Sequence, residues 1–224
     1  MTNRLSDGDA AEWADLLAVL AETVQEPTEE LYTEIEDGPL GVALGDLTDS
    51  LALRPAAGTV PPSVSSLGAM TESYLRLFEA METPYAPIAE SPYRPWYGDR
   101  SGLMGGPPAN DMTRRYEAID AEFPDGYPPD HLALELEYCS FLLEAGAESD
   151  ARAFVADHLD WVPALRQTVE AAAADAAFHR WAIQLADEVT VELRSRLEVA
   201  SIPPADIEEM AKRVSQDTSQ SRSF

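Results

Sequence analysis

The chain has 224 residues, 45% of them hydrophobic, and carries 41 Asp and Glu against 15 Lys and Arg, for a formal net charge of -26. A chain of this length buries roughly 70% of its unfolded surface, enough for one domain with a real core. So acidic a surface excludes nucleic acid as a partner, because affinity for phosphate backbones comes from Lys and Arg contacts, and Lys212 is the only lysine. The single cysteine, Cys139, excludes an internal disulfide and a cysteine zinc cluster, and reads as core filler. No run of ~18 apolar residues occurs, and the first nine residues lack the basic start and apolar run of a secretory signal, so a cytoplasmic protein without stable membrane insertion is expected. The acids are spread over the whole length, a pattern that points to a folded protein adapted to a salt-rich cytoplasm.

Apolar residues recur at helical spacing and no segment alternates like a strand, so the fold class expected is all-α: a single-domain bundle of about nine or ten helices with one long Pro- and aromatic-rich loop. A first helix follows Ser6 and carries Trp13, Leu16, Leu17, Leu20 and Val24 before Pro27 stops it. A short second helix spans 28–36. A third apolar segment, around 40–53, ends at Arg54-Pro55, and Pro61-Pro62 introduces a fourth helix with Met70, Tyr74, Leu77 and Phe78. From 83 to 109 prolines alternate with Tyr85, Tyr93, Trp96 and Tyr97, and glycines follow; a loop this long inside a compact domain is usually functional, and its aromatic content argues against disorder. Helices resume over 110–123, 129–144, 149–160, 162–174, 176–197 and about 203–213. One domain, 1–214, is expected, with a frayed tail over 215–224.

Enzyme motifs are absent from the sequence. Gly102-Leu103-Met104-Gly105-Gly106 lacks the dinucleotide spacing, the only lysine sits outside any Gly-rich turn, and no serine lies in a nucleophile elbow. His131, His158 and His179 are far apart, and none has the glutamate three residues earlier that a di-iron bundle needs. His131 and Glu135 lie one helical turn apart, but two ligands make no metal site. The expectation is therefore no catalytic residue, no metal and no cofactor. The informative run is Tyr127-Pro128-Pro129-Asp130-His131-Leu132, followed by Glu135-Leu136. Prolines suit a helix start, and Asp130 beside them meets the positive end of the helix dipole. Leu132, Leu136, Cys139 and Leu143 form the core stripe, with His131, Glu135 and Tyr138 on a neighbouring face.

That run resembles the signature of the TorD/DmsD/NarJ family of chaperones for molybdoenzyme maturation. Three further segments agree in order: Tyr74-Leu75-Arg76-Leu77-Phe78; the loop with Ser91-Pro92-Tyr93, Pro95-Trp96, Asp99-Arg100 and Leu103-Met104-Gly105; and Phe154, His158-Leu159, Trp161-Val162-Pro163 with Phe178-His179. His179 stands where a tyrosine is usual, and Glu79-Ala80-Met81 replaces a Gly-Pro step. With the dispersed acids, a haloarchaeal member is the expectation. The resemblance implies an all-helical, non-enzymatic chaperone whose partner is an apo-molybdoenzyme catalytic subunit or its twin-arginine signal peptide, held until the cofactor is loaded and export can proceed. It implies peptide-binding positions at Tyr74, Leu77, Phe78, Gly105, Pro128, Asp130 and His131, to which Tyr93, Trp96, Tyr97, Pro129 and Glu135 are added as apolar wall and polar end of an expected groove. A monomer or homodimer is expected. Two alternatives stay open: an assembly factor for a non-exported molybdoenzyme, and a small-ligand-binding helical protein.

Overall fold

Thr28, Gly38 and Ser66 set where the first helices begin and end. The computed structural model describes residues 5, 7–79, 85–95, 104–121, 124, 126–172 and 175–220. Helix α1 (Asp7–Thr23) gives way at Pro27, and Thr28 then caps α2 (Glu29–Asp37), its hydroxyl accepting the Leu31 N–H at 3.1 Å. Gly38, at φ 94°, takes the left-handed conformation that closes α2, and Pro39 starts α3 (Pro39–Ser50) where its missing N–H costs nothing. Ser66 caps α4 (Leu67–Tyr74) through the Ala69 N–H, so this helix begins later than Pro61-Pro62 led one to expect. A π-helical turn, Leu75–Glu79, continues from it; such turns recur at functional sites.

The loop expected over 83–109 is partly ordered into short elements. It contains a 3-10 turn, Ser91–Tyr93, and an isolated antiparallel bridge between Ala89 and His131, and α5 (Pro107–Ala118) already begins inside it. Then come α6 (Leu132–Glu144), α7 (Glu148–His158), α8 (Val162–Ala172), α9 (Ala177–Arg196) and α10 (Pro204–Gln220). The last of these runs to Gln220, through most of the segment expected to fray. The fold is all-α in a single domain, with ten α-helices and no strand among the described residues.

Helix α6 is the centre. Leu132 through Leu136, Tyr138, Cys139, Ser140 and Leu143 are all buried, and a helix covered on nearly every side belongs in the middle of a bundle. The expected split into a core stripe and a polar face does not hold, because α1 lies along α6 as the most extensive helix pair and α7 covers another flank. Trp13, Trp161 and Trp181 are core, as is Cys139, whose thiol is pushed up to about 12 by burial. Helix α9 packs on α1, α4, α7 and α8, and α10 closes over α8 and the 3-10 turn with Met210 and Val214 buried.

Candidate functional site

The start of α6 is where the chain's unusual segments meet. His131, not Asp130, is the N-cap: its Nδ1 accepts the Ala133 N–H at 3.1 Å, while its Nε2 lies 3.1 Å from the Tyr74 hydroxyl at the end of α4. Asp130 turns away from the helix, and its Oδ2 accepts the Ser91 N–H at 2.7 Å. Backbone bonds from Glu90 N–H to Asp130 O at 2.9 Å and from Leu132 N–H to Ile88 O at 3.1 Å fasten residues 88–91 to this corner. Ala86 N–H donates to Leu77 O at 2.7 Å, which ties the same segment to the π-helical turn. Gly105, at φ 77°, is exposed just before α5, and the neighbouring Gly106 N–H donates to the Ser91 hydroxyl at 2.9 Å.

A chain of rings runs inward from the surface. Tyr127 stands edge-on to His131 at 4.8 Å, and Tyr74 packs on Phe78 at 5.0 Å and His179 at 5.6 Å. Burial holds His131 near 3 and His179 near 4, so both rings are neutral, and the His179 Nε2 sits 3.0 Å from the Met70 carbonyl. Tyr127 is half-buried, and the Glu26 N–H donates to its hydroxyl at 3.0 Å. Glu79, exposed at the end of the π-helical turn, is raised by partial burial and then by the Glu26 charge, so these two acids share one neighbourhood beside Tyr127.

On the other side of Asp130 lies a buried polar network. The Trp161 indole N–H donates to Glu135 Oε2 at 2.8 Å. Glu90 accepts from Arg94 Nε at 2.6 Å on Oε1 and lies 2.8 Å from His158 Nδ1 on Oε2. His158 Nε2 is 3.0 Å from Asp111 Oδ2, and Arg94 is also paired with Asp160. Burial, and after it the neighbouring Glu90, raises Glu135 well above the usual carboxylate range. Burial alone would lower His158, but its bond to Glu90, the Glu90 charge and the Asp111 bond together outweigh this and the ring titrates above its usual value. Asp130 is raised by burial, against the opposing Ser91 bond.

The twelve positions singled out from sequence therefore divide. Tyr74, Leu77, Phe78, Asp130 and His131 converge at one corner with the half-buried Pro128 and Pro129, but the first five are interior side chains, none more than 5% exposed, so they do not form the wall of an open groove in this structure. Tyr93 is fully buried against Trp161 at 5.0 Å, and Glu135 belongs to the polar network. Trp96 and Tyr97 lie outside the described residues. Sequence reasoning missed Glu90, Arg94 and Asp111, which carry no local motif, and it read His158 only as part of a family segment.

The family model of the nitrate reductase delta subunit matches residues 37–175, and the chain belongs to that family, the NarJ/TorD type of chaperone for molybdoenzyme maturation. It is a chaperone or assembly-factor family, not a catalytic one, and it acts with nitrate reductase-type molybdoenzyme subunits. A search of curated proteins finds no match to this chain. Among the described residues no helix is long and apolar enough to cross a membrane.

Proposed function

We propose that this protein is a cytoplasmic chaperone that holds the twin-arginine signal peptide, or the apo-form, of a molybdopterin-dependent oxidoreductase while its cofactor is loaded before export. The observation that carries the reading is the convergence of Tyr74, Tyr127 and His131, drawn from two segments more than fifty residues apart, into one ring chain that ends at the surface beside the exposed acids Glu26 and Glu79. A signal peptide has a basic start and an apolar middle. Carboxylates beside an aromatic edge suit both parts, the acids meeting arginine and the ring meeting the apolar stretch. Tyr74, Leu77, Phe78, Pro128, Asp130, His131 and Glu135 then act as the interior support of that surface, and Tyr127, Glu26 and Glu79 as its contact side.

The test is calorimetric titration of the full chain with a twin-arginine peptide in buffer of fixed salt. Glu79→Gln is expected to weaken binding by about two- to fivefold, the range of an exposed ion pair, and Tyr127→Ala by about tenfold, with unchanged helical circular dichroism in both. Wild-type affinity in both variants would place the peptide elsewhere. A client captured through its mature part, with no binding of the signal peptide, would make the protein an assembly factor for that enzyme.

A further inference from the structure

We infer that Glu90, Glu135 and His158 form a binding site for one divalent transition-metal cation, buried between the segment before the 3-10 turn, α6 and α7. The three residues offer donor atoms within 4.8 Å of one another, and all three are buried: Glu90 is 1% exposed, Glu135 0% and His158 6%.

Each of the three has one atom fixed from outside and another left facing its neighbours. On Glu135, Oε2 is held by the Trp161 indole N–H, while no hydrogen-bond partner reaches the buried Oε1. Arg94 holds Oε1 of Glu90, which leaves Oε2 against His158. On His158, Nε2 meets the Asp111 carboxylate, which can hold the Nε2–H, so giving up the Nδ1 proton shared with Glu90 Oε2 leaves Nδ1 as an inward-facing donor atom. A carboxylate behind a histidine, and a donor behind each carboxylate, is how proteins orient metal ligands.

Charge points the same way. Glu90 and Glu135 face each other, acceptor against acceptor. Arg94 pairs with Glu90 from the outer side and is shared with Asp160. A divalent ion here would displace the protons that burial keeps on Glu135 and that Glu90 and Asp111 hold on His158, and it would then meet two carboxylates and a neutral imidazole. Two oxygens and one nitrogen suit zinc or manganese better than magnesium, because imidazole is a poor ligand for the harder ion. Zinc binds such donors at about 2.0–2.2 Å in a tetrahedron, so the three atoms need adjust by only about 1 Å or less. Bound metal would fasten the segment before the 3-10 turn, α6 and α7 to one another. This inference does not depend on the client.

The experiment takes the full chain stripped with a chelator and titrates it with Zn2+, and with Mn2+ and Mg2+ for comparison, by calorimetry and thermal melting. One equivalent of Zn2+ is expected per chain, with a higher melting temperature. Glu135→Gln keeps an acceptor for Trp161 but removes the charge, and it should lower Zn2+ affinity about 100-fold or more and abolish the melting shift. Should that variant fail to fold, Asp111→Asn decides: it touches His158 from the half-exposed side and should weaken Zn2+ about 10- to 100-fold. A wild-type chain that binds no Zn2+ and melts alike with and without it would overturn the inference and leave a shared proton between the carboxylates. Wild-type affinity in Glu135→Gln, or in Asp111→Asn where that variant decides, would assign the ion to surface acids and overturn it equally.

Discussion

His131 and His179 are buried neutral rings, and that has a pH consequence of definite sign. An unfolded histidine binds its proton near 6.5, whereas the folded chain holds His179 near 4 and His131 near 3. Between those limits the unfolded state carries more protons, so the stabilisation is fully present above about pH 6.5 and is lost as pH falls towards 4 and then 3. For His179 the shift is on the order of 3 kcal/mol. Carboxylates raised in the fold, such as Glu79 and Asp130, act in the opposite direction, so a difference between variant and wild type is the clean readout. Urea midpoints measured from pH 7 to 4.5 should fall less steeply for His179→Gln than for wild type, and parallel slopes would mean that the ring is not held neutral. Phe78 beside it is 5% exposed and packed on Tyr74 and His179. Phe78→Ala is therefore expected to cost about 3–5 kcal/mol of stability in urea unfolding, a loss well above what a groove-lining ring would show.

At the scale of elements, α6 sets the hierarchy. It is covered by α1 and α7 and tied at its start to residues 88–91, so its amides open only with the whole fold. Hydrogen exchange should find residues 136–143 the most protected in the chain, while α10, held mainly by Met210 and Val214, exchanges sooner. Faster exchange in α6 than in α9 would contradict this. Most helices were legible in the sequence because apolar residues recur at helical spacing and Pro27 and Arg54-Pro55 are local stop signals, and a local signal suffices for a helix end. The start of α6 was misread for the opposite reason. Two prolines and an aspartate look like a cap, yet Asp130 is claimed by the Ser91 N–H 39 residues away, a tertiary contact that no spacing reveals. The same holds for the candidate site. Tyr74 and His131 were singled out through resemblance, but their burial, and the meeting of Glu90, Glu135 and His158, depend on how the segment at 85–95 lies against α6 and α7. Periodicity places a residue on its own helix, not against a partner from another element.

For the molecule as a whole the governing quantity is the net charge of -26. Among the described residues many cations are paired locally: Arg54 to Asp49, Arg94 to Asp160, Arg115 to Asp111, Arg166 to Asp187, and Lys212 to Glu208. Surplus acids therefore face one another. Glu22 is raised by partial burial and then by Glu34, Glu30 and Glu137, and Glu79 by partial burial and then by Glu26. Such repulsion reaches across about 10 Å in 0.1 M salt but only about 3 Å in 1 M, so dilute buffer should destabilise the folded chain through self-repulsion, while exposed ion pairs return little because each is worth about 1 kcal/mol or less. Circular dichroism on the chain in potassium chloride from 2 M down to 10 mM is expected to show a fall in melting temperature of about 10 °C or more, since about 1 kcal/mol shifts the midpoint of a domain this size by roughly 2–4 °C. Choline chloride should restore the midpoint as well as potassium chloride does, because screening depends on ionic strength and not on the cation. A midpoint independent of salt would show that the acids are far enough apart to be tolerated in any buffer, and would remove the physical basis for assigning the protein to a salt-rich cytoplasm.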